Sequence, residues 1–158
     1  MTSKSEYFMK QAILLSKENL SKVSGGPFGA VIVKDGKLIS GGSNQVTTHN
    51  DPTAHAEIEA IRAACKALNT FSLEGCEIYT SCEPCPMCLS AIYWARLDKI
   101  YYANTREDAA ELNFDDEFLY NEIGKPSEHR KIPMTQILRD EAYVVFKEWI
   151  LKENKIHY

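Results

Sequence analysis

Two short segments, well separated along the chain, carry the side chains that most constrain how this protein folds. The first is His55-Ala56-Glu57, and the second is Pro84-Cys85-Pro86-Met87-Cys88. One imidazole and two thiolates are ligands that zinc prefers, and three protein ligands leave the fourth position of a tetrahedral ion open for water. The fold therefore has to bring both segments together, with a carboxylate near enough to accept a proton from that water.

Each segment is predicted to lie at the start of a helix. The dipeptide Asp51-Pro52 suits the N-cap and the first position of a helix over 51–68. Cys85 and Cys88 lie three residues apart in a predicted helix over 84–96, so both sulfurs face the same side. The positive end of the helix dipole favours anions there, which lowers the pKa of a thiol and prepares it to bind zinc.

Two carboxylates compete for the role of proton acceptor. Glu57 follows His55 by two positions, about 200° around the helix axis, so it can reach the water without ligating the metal. Glu59 follows by four positions and stacks near the imidazole. The residues alone leave this choice open.

The rest of the chain alternates between strand and helix patterns. Asp35-Gly36 between two β-rich runs predicts a hairpin. Predicted helices cover 5–22, 51–68, 84–96, 106–112, 115–123 and 141–153, and predicted strands cover 30–34, 37–40, 76–81, 99–103 and 133–138. This order predicts an α/β protein, a three-layer αβα sandwich around a mixed, mostly parallel five-stranded sheet.

Composition limits the class of protein and its partners. The 158 residues suit one domain over 1–158, and the net charge of −4 gives no general attraction to nucleic acid. No apolar run is long enough for a membrane span or a signal peptide, which predicts a cytoplasmic protein that does not bind membranes. Three of the five cysteines cluster at Cys82, Cys85 and Cys88, which favours metal binding over disulfides.

Other interpretations of these residues remain open at this point. Cys82 could complete a four-ligand structural zinc site or belong to an iron–sulfur run, or it could be a packed thiol at the end of a strand. The segment Gly25-Gly26-Pro27-Phe28-Gly29 ends the first helix, and it lacks the pattern of a phosphate-binding loop.

The motifs Asp51-Pro52-Thr53-Ala54-His55-Ala56-Glu57 and Glu83-Pro84-Cys85-Pro86-Met87-Cys88 resemble the cytidine deaminase-like superfamily, whose signature is H-x-E…P-C-x-x-C. Within it, the segments 25–30, 81–88, 91–96 and 113–116 and the final Tyr158 look like the small bacterial guanine deaminases. The resemblance implies hydrolysis of guanine to xanthine and ammonia, with one Zn²⁺ per subunit held by His55, Cys85 and Cys88. It also selects Glu57 as the proton shuttle.

The resemblance further implies a set of substrate-binding residues: Phe28, Asn44, Ala56, Trp94, Asp115, Asp116 and Tyr158. Asn44 would hydrogen-bond the base and Phe28 would pack on its ring. One of the two aspartates, with Asp116 preferred, would recognise polar atoms at the edge of the base, and Tyr158 would close the site. Trp94 would wall the pocket. Core packing for Trp94 and an N-cap role for the aspartates are the alternatives.

The same resemblance implies a homodimer in which the C-terminal helix and tail, 139–158, are exchanged between subunits. From Glu107 to Glu122 no Lys or Arg interrupts the acidic side chains, which would repel polyanions and favours a small nucleobase over tRNA. A tRNA adenosine deaminase and a cytosine deaminase are the alternative enzymes, and a zinc-binding pseudoenzyme is the alternative without activity.

Overall fold

The computed structural model describes residues 3–23, 25–114 and 116–158, and it divides the chain into two compact units, Met1–Glu117 and Phe118–Tyr158. The boundary lies earlier than the predicted C-terminal region over 139–158. All strands of the described chain belong to the first unit.

The first unit contains a four-stranded mixed sheet. Its strands are β1 (Gly29–Lys34), β2 (Lys37–Ser43), β3 (Cys76–Cys82) and β4 (Lys99–Asn104), in the order β2-β1-β3-β4. β1 pairs antiparallel with both β2 and β3, whereas β3 and β4 are parallel. The predicted hairpin is confirmed, because Asp35 and Gly36 both have the positive φ that its turn requires.

The prediction of a fifth strand and a mostly parallel sheet is wrong in detail. Residues 133–138 form no strand, and the second unit contains no strand with which they could pair. Pro133 also lacks an N–H to donate to a ladder. Because β1 is antiparallel to both of its neighbours, only one of the strand pairings is parallel.

Two helices, α1 (Lys4–Leu20) and α3 (Ala56–Leu68), pack on opposite faces of this sheet. The other helices that begin in the first unit are α2 (Val46–His49), α4 (Pro86–Trp94), α5 (Arg106–Glu111) and α6 (Asp116–Gly124), and α6 extends past the unit boundary. The short α2 lies in a segment for which no helix was predicted. Ser3 and Glu6 form a capping box at the start of α1, in which each side chain bonds the other's backbone amide.

The alternation of side chains along β1 builds two cores. Ile32 faces α3, where it packs with Ile78 and a row of small residues that includes Ala60, while Val31 faces α1 and packs with Phe8. Each fully buried Ile, Val or Phe contributes about 1.5–3 kcal/mol. The chain therefore carries enough buried apolar surface on both sides to hold the sheet rigid.

A close approach fixes the start of α3 on the sheet. A Cβ atom at Gly42 would lie 2.5 Å from the carbonyl oxygen of Ala56 and 2.6 Å from the amide nitrogen of Ala60. Only a glycine lets β2 and the first turns of α3 come this near. This contact anchors the helix that follows His55.

The second unit consists of the rest of α6, a 3₁₀ turn (Ser127–His129) and α7 (Arg139–Leu151). The guanidinium of Arg130 donates to the carbonyls of Glu122, Ile123 and Lys125 and so satisfies the end of α6. None of residues 118–158 is buried, although α7 carries several large apolar side chains. In the described part of the chain, no helix is both long and apolar enough to cross a membrane.

Candidate metal centre and adjoining pocket

Three side chains from the two conspicuous segments converge in the first unit. The Nδ1 atom of His55 lies 3.6 Å from the sulfur of Cys85 and 3.5 Å from the sulfur of Cys88. Tetrahedral zinc with Zn–S near 2.3 Å and Zn–N near 2.05 Å would separate its nitrogen and sulfur ligands by about 3.6 Å. The nitrogen–sulfur spacing of this cluster therefore fits a zinc ion.

Local backbone structure explains why these ligands meet. His55 and Cys85 occupy the N-cap positions of α3 and α4, each with extended φ and ψ and without a side-chain cap hydrogen bond. Both helices thus begin one residue past a ligand, later than the sequence predicted. Residues 51–54 instead form a turn in which Asp51 accepts hydrogen bonds from the backbone and hydroxyl of Thr53.

The electrostatics of the cluster favour a thiolate. The pKa of Cys85 is lowered to about 4, chiefly by a hydrogen bond with Cys88 and also by one with His55. The same contact with Cys85 raises the pKa of His55. An anionic sulfur beside a second sulfur and an imidazole is the donor set that a soft to borderline divalent metal selects.

Cys82 does not complete a four-ligand site. In the described part of the chain, the metal-ligating group whose atoms all lie within 4.8 Å consists of His55, Cys85 and Cys88. The Cys82 thiol instead donates to the carbonyl of Thr105 at 3.6 Å, and burial raises its pKa to about 12. The structural-zinc and iron–sulfur alternatives are therefore wrong, and three protein ligands leave one coordination position for water.

Glu57 is the carboxylate that faces this centre. It is only 6% exposed, and burial raises its pKa. Its Oε1 atom lies 3.3 Å from the Thr80 hydroxyl, and its Oε2 atom accepts from Cys88 at 3.4 Å. Glu59 forms an ion pair with Arg62 instead. Of the two carboxylates, Glu57 is therefore the one that contacts the ligand set.

A cavity of about 580 Å³ adjoins the cluster. Its lining includes several of the predicted site residues: Phe28, Asn44, His55, Glu57, Cys85 and Asp116. Asn44 is buried, and its Oδ1 accepts a hydrogen bond from the amide of Val46 at 3.2 Å. The first unit thus brings the metal ligands, an acid and an aromatic ring around one space large enough for a small planar molecule.

Sequence reasoning missed one aromatic residue of this cavity. Phe114 lines it and meets Phe28 edge to face, with ring centroids 5.0 Å apart and planes at 84°. The resemblance includes the segment 113–116, which contains Phe114, but it implies roles only for the two aspartates. The pair of rings gives the cavity an apolar wall.

Other predicted site residues lie elsewhere. Trp94 is 66% exposed at the far end of α4, about 12 Å along the axis from its first turn, and it lines a separate shallow depression. In the first unit, Trp94 neither lines the cavity nor packs in the core, and its role stays a prediction.

Ala56 is fully buried in the core and does not line the cavity. Asp115 lies outside the described residues. Tyr158 belongs to the second unit and is 71% exposed, so its role stays a prediction.

The fold and the ligand set define a class of protein. Residues 2–104 match the cytidine and deoxycytidylate deaminase zinc-binding region, and the chain belongs to that family. It is 55% identical to the guanine deaminase of Bacillus subtilis over 97% of this chain and 98% of that one. The X-ray structure of that enzyme matches with a TM-score of 0.94 over the same shares of both chains.

More distant relatives include both a tRNA-specific adenosine deaminase and a second guanine deaminase. A tRNA-specific adenosine deaminase from Aquifex aeolicus is 47% identical over 62% of this chain and 64% of its own. The structure of the guanine deaminase from Nitrosomonas europaea is 29% identical and matches with a TM-score of 0.67, over 96% of this chain and 87% of that one.

Proposed function

We propose that this chain is a zinc-dependent aminohydrolase that converts guanine to xanthine and ammonia. The observation that carries the proposal is a single pocket in which the ligand set His55, Cys85 and Cys88 meets the buried carboxylate of Glu57. The 55% identity to the Bacillus subtilis guanine deaminase over 97% of the chain supports guanine as the substrate.

The side chains around the centre have separate roles in the reaction. Zinc held by His55, Cys85 and Cys88 would supply a Lewis acid that lowers the pKa of water from about 15.7 toward about 7. Because two thiolates offset the charge of the ion, this effect is weaker than in a three-histidine site, and the protein needs its own proton acceptor. Glu57 has that role, with Thr80 holding one carboxylate oxygen and the other facing the ligand set.

Proton transfer by Glu57 balances the reaction. Glu57 accepts a proton from the attacking water and delivers it to a ring nitrogen of the base. The water oxygen adds to the carbon that bears the amino group. Glu57 then takes the remaining proton from the new hydroxyl group and delivers it to the amino group, the C–N bond breaks, ammonia leaves, and a carbonyl remains.

The walls of the pocket supply recognition of the base. Phe28 and Phe114 offer apolar surface to the ring, and Asn44 offers its amide. Asp116 is half-buried at the same cavity, where its carboxylate can accept hydrogen bonds from the N–H groups of guanine. Adenine has no ring N–H at the corresponding edge, so an acid there favours guanine.

An ammonia-release assay on zinc-loaded protein tests this proposal. Guanine, cytosine, adenine and a tRNA anticodon stem-loop would be compared under identical conditions. We expect guanine to be deaminated fastest. Faster deamination of the stem-loop, with activity that falls steeply as salt rises, would favour a tRNA adenosine deaminase. Full zinc content without turnover of any substrate would favour a pseudoenzyme.

We also propose a cytoplasmic homodimer that exchanges its C-terminal segment. Several large apolar side chains of α7 are exposed, among them Phe146 at 67% and Ile150 at 62%. Large apolar side chains exposed in a unit without buried residues support a partner that covers them. The outer edge of β4 is unpaired among the described strands, so a partner could cover that edge as well.

Complementation between two inactive variants tests the exchange. One subunit would carry Glu57→Gln with an intact tail, and the other would have an intact pocket but lack Lys155–Tyr158. If the tail acts on the partner's site, coexpressed subunits regain activity, because one pocket of each mixed dimer is complete. Mixed dimers that remain inactive would place the tail over its own subunit's site.

A further inference from the structure

One buried polar side chain of α1 contributes nothing to the chemistry described above. Asn19 lies in the last turn of this helix and is only 1% exposed. Its Nδ2 atom donates to the carbonyl of Gly26 at 2.8 Å and to the carbonyl of Asn44 at 3.0 Å. Asn19 itself does not line the cavity.

The two carbonyls belong to the two loops that carry the base-binding groups. Gly26 precedes Phe28 and accepts a hydrogen bond from its amide at 2.9 Å. The amide of Asn44 in turn donates to the carbonyl of Phe28 at 3.1 Å. One primary amide thus joins both loops, and its two N–H groups match the two acceptors.

An apolar residue would have been the ordinary choice at this buried helical position. The other buried residues of α1, Phe8 and Ala12, are apolar. A hydrocarbon side chain would leave the carbonyls of Gly26 and Asn44 without this donor. The exposed hydroxyl of Thr47, which donates to the carbonyl of Val23 at 3.2 Å, would still join the two loops at their outer side. The polar residue at this position therefore gives both carbonyls a donor.

We propose that Asn19 is a positioning residue for base binding, which clamps the loops of Phe28 and Asn44 at the separation that a planar ring requires. This inference rests on the proposed function, because it concerns the same pocket. With the loops held before binding, less conformational entropy is lost when the base enters. The clamp acts on affinity, since the zinc ligands and Glu57 belong to other elements.

Kinetics of three substitutions test the clamp. Asn19→Ala removes the donors, Asn19→Asp keeps the volume without N–H groups, and Asn19→Gln displaces the amide by one methylene. In each folded variant KM should rise about tenfold while kcat changes less than about threefold, the signature of lost uniform binding. Zinc content should equal that of the wild type. A folded variant with the wild-type KM would overturn the proposal. If Asn19→Ala and Asn19→Asp fail to fold, the KM of Asn19→Gln decides the test.

Ser40→Ala is the matched control. Ser40 is 8% exposed, and its hydroxyl donates to the carbonyl of Ala60 at 2.8 Å, so it is another buried side-chain bond to backbone. Its loss should lower the melting temperature and leave KM unchanged; an equal rise of KM in Ser40→Ala would overturn the clamp. KM is measured for the base that the wild type deaminates fastest, so a failure of guanine as substrate would contradict the proposed function alone.

Discussion

Replacing Gly25 by alanine should weaken binding of the base through Asn44. A Cβ atom at Gly25 would lie 2.0 Å from the Oδ1 atom of Asn44, far inside the 3.4 Å at which ordinary contact begins. The Asn44 side chain would have to swing away and lose its hydrogen bond from Val46. The same movement would remove the amide from the base.

The size of the effect follows from these contacts. One lost hydrogen bond to the base is worth about 0.5–1.5 kcal/mol, which corresponds to a KM about two- to tenfold higher. The φ of Gly25 is +149°, where an alanine is strained by about 1–3 kcal/mol. The melting temperature should therefore fall by several degrees, while kcat and zinc content stay near their wild-type values.

Gly75→Ala provides the control for backbone strain. Gly75 also has a positive φ, +77°, but its Cβ would meet only the Cε atom of Lys34, at an ordinary 3.7 Å. Steady-state ammonia release and thermal unfolding would be measured for both variants. We expect both to lose stability and only Gly25→Ala to gain a higher KM. An unchanged KM in Gly25→Ala, or the same rise in Gly75→Ala, would refute the role of Asn44.

Three further outcomes are expected. Cys88→Ala should lose both zinc and activity, while the control Cys65→Ala keeps both. Full zinc content in Cys88→Ala, measured by metal analysis, would mean that the ligand assignment is wrong. Thr80→Val should lower kcat about two- to tenfold at unchanged zinc, because Glu57 loses a hydrogen-bond partner 3.3 Å away, and an unaltered kcat would contradict this. Removal of Lys155–Tyr158 should weaken turnover of the base without changing the circular dichroism; unchanged kinetics would show that the tail does not close the site.

Much of the fold was predictable because its signals are local. The Asp35-Gly36 turn has positive φ at both residues, and an Asp-Gly pair between two β-rich runs is a sequence signal for such a turn. The metal ligands were equally predictable, since His55 and Cys85 each stand at the start of a helix that follows extended backbone. The exact helix starts were missed, because Asp51 caps a turn with Thr53 and not the helix itself.

The remainder depends on contacts that sequence periodicity does not encode. The polar role of Asn19 becomes visible only when Gly26 and Asn44 come within hydrogen-bond distance of it. Phe114 becomes a pocket residue only through its contact with Phe28. The position of Trp94 relative to the metal ligands depends on the length of α4, whose last residue lies about 12 Å along the axis from its first turn, and its role stays a prediction.

In the proposed mechanism, Glu57 moves the proton beside a three-ligand zinc centre. Glu57→Gln keeps the shape of the side chain and removes the proton acceptor. The decisive measurement is kcat for guanine in zinc-loaded Glu57→Gln protein, with zinc content determined on the same sample. We expect one zinc per subunit and a kcat lower by about 10²- to 10⁴-fold. Near wild-type turnover at full zinc content would contradict it.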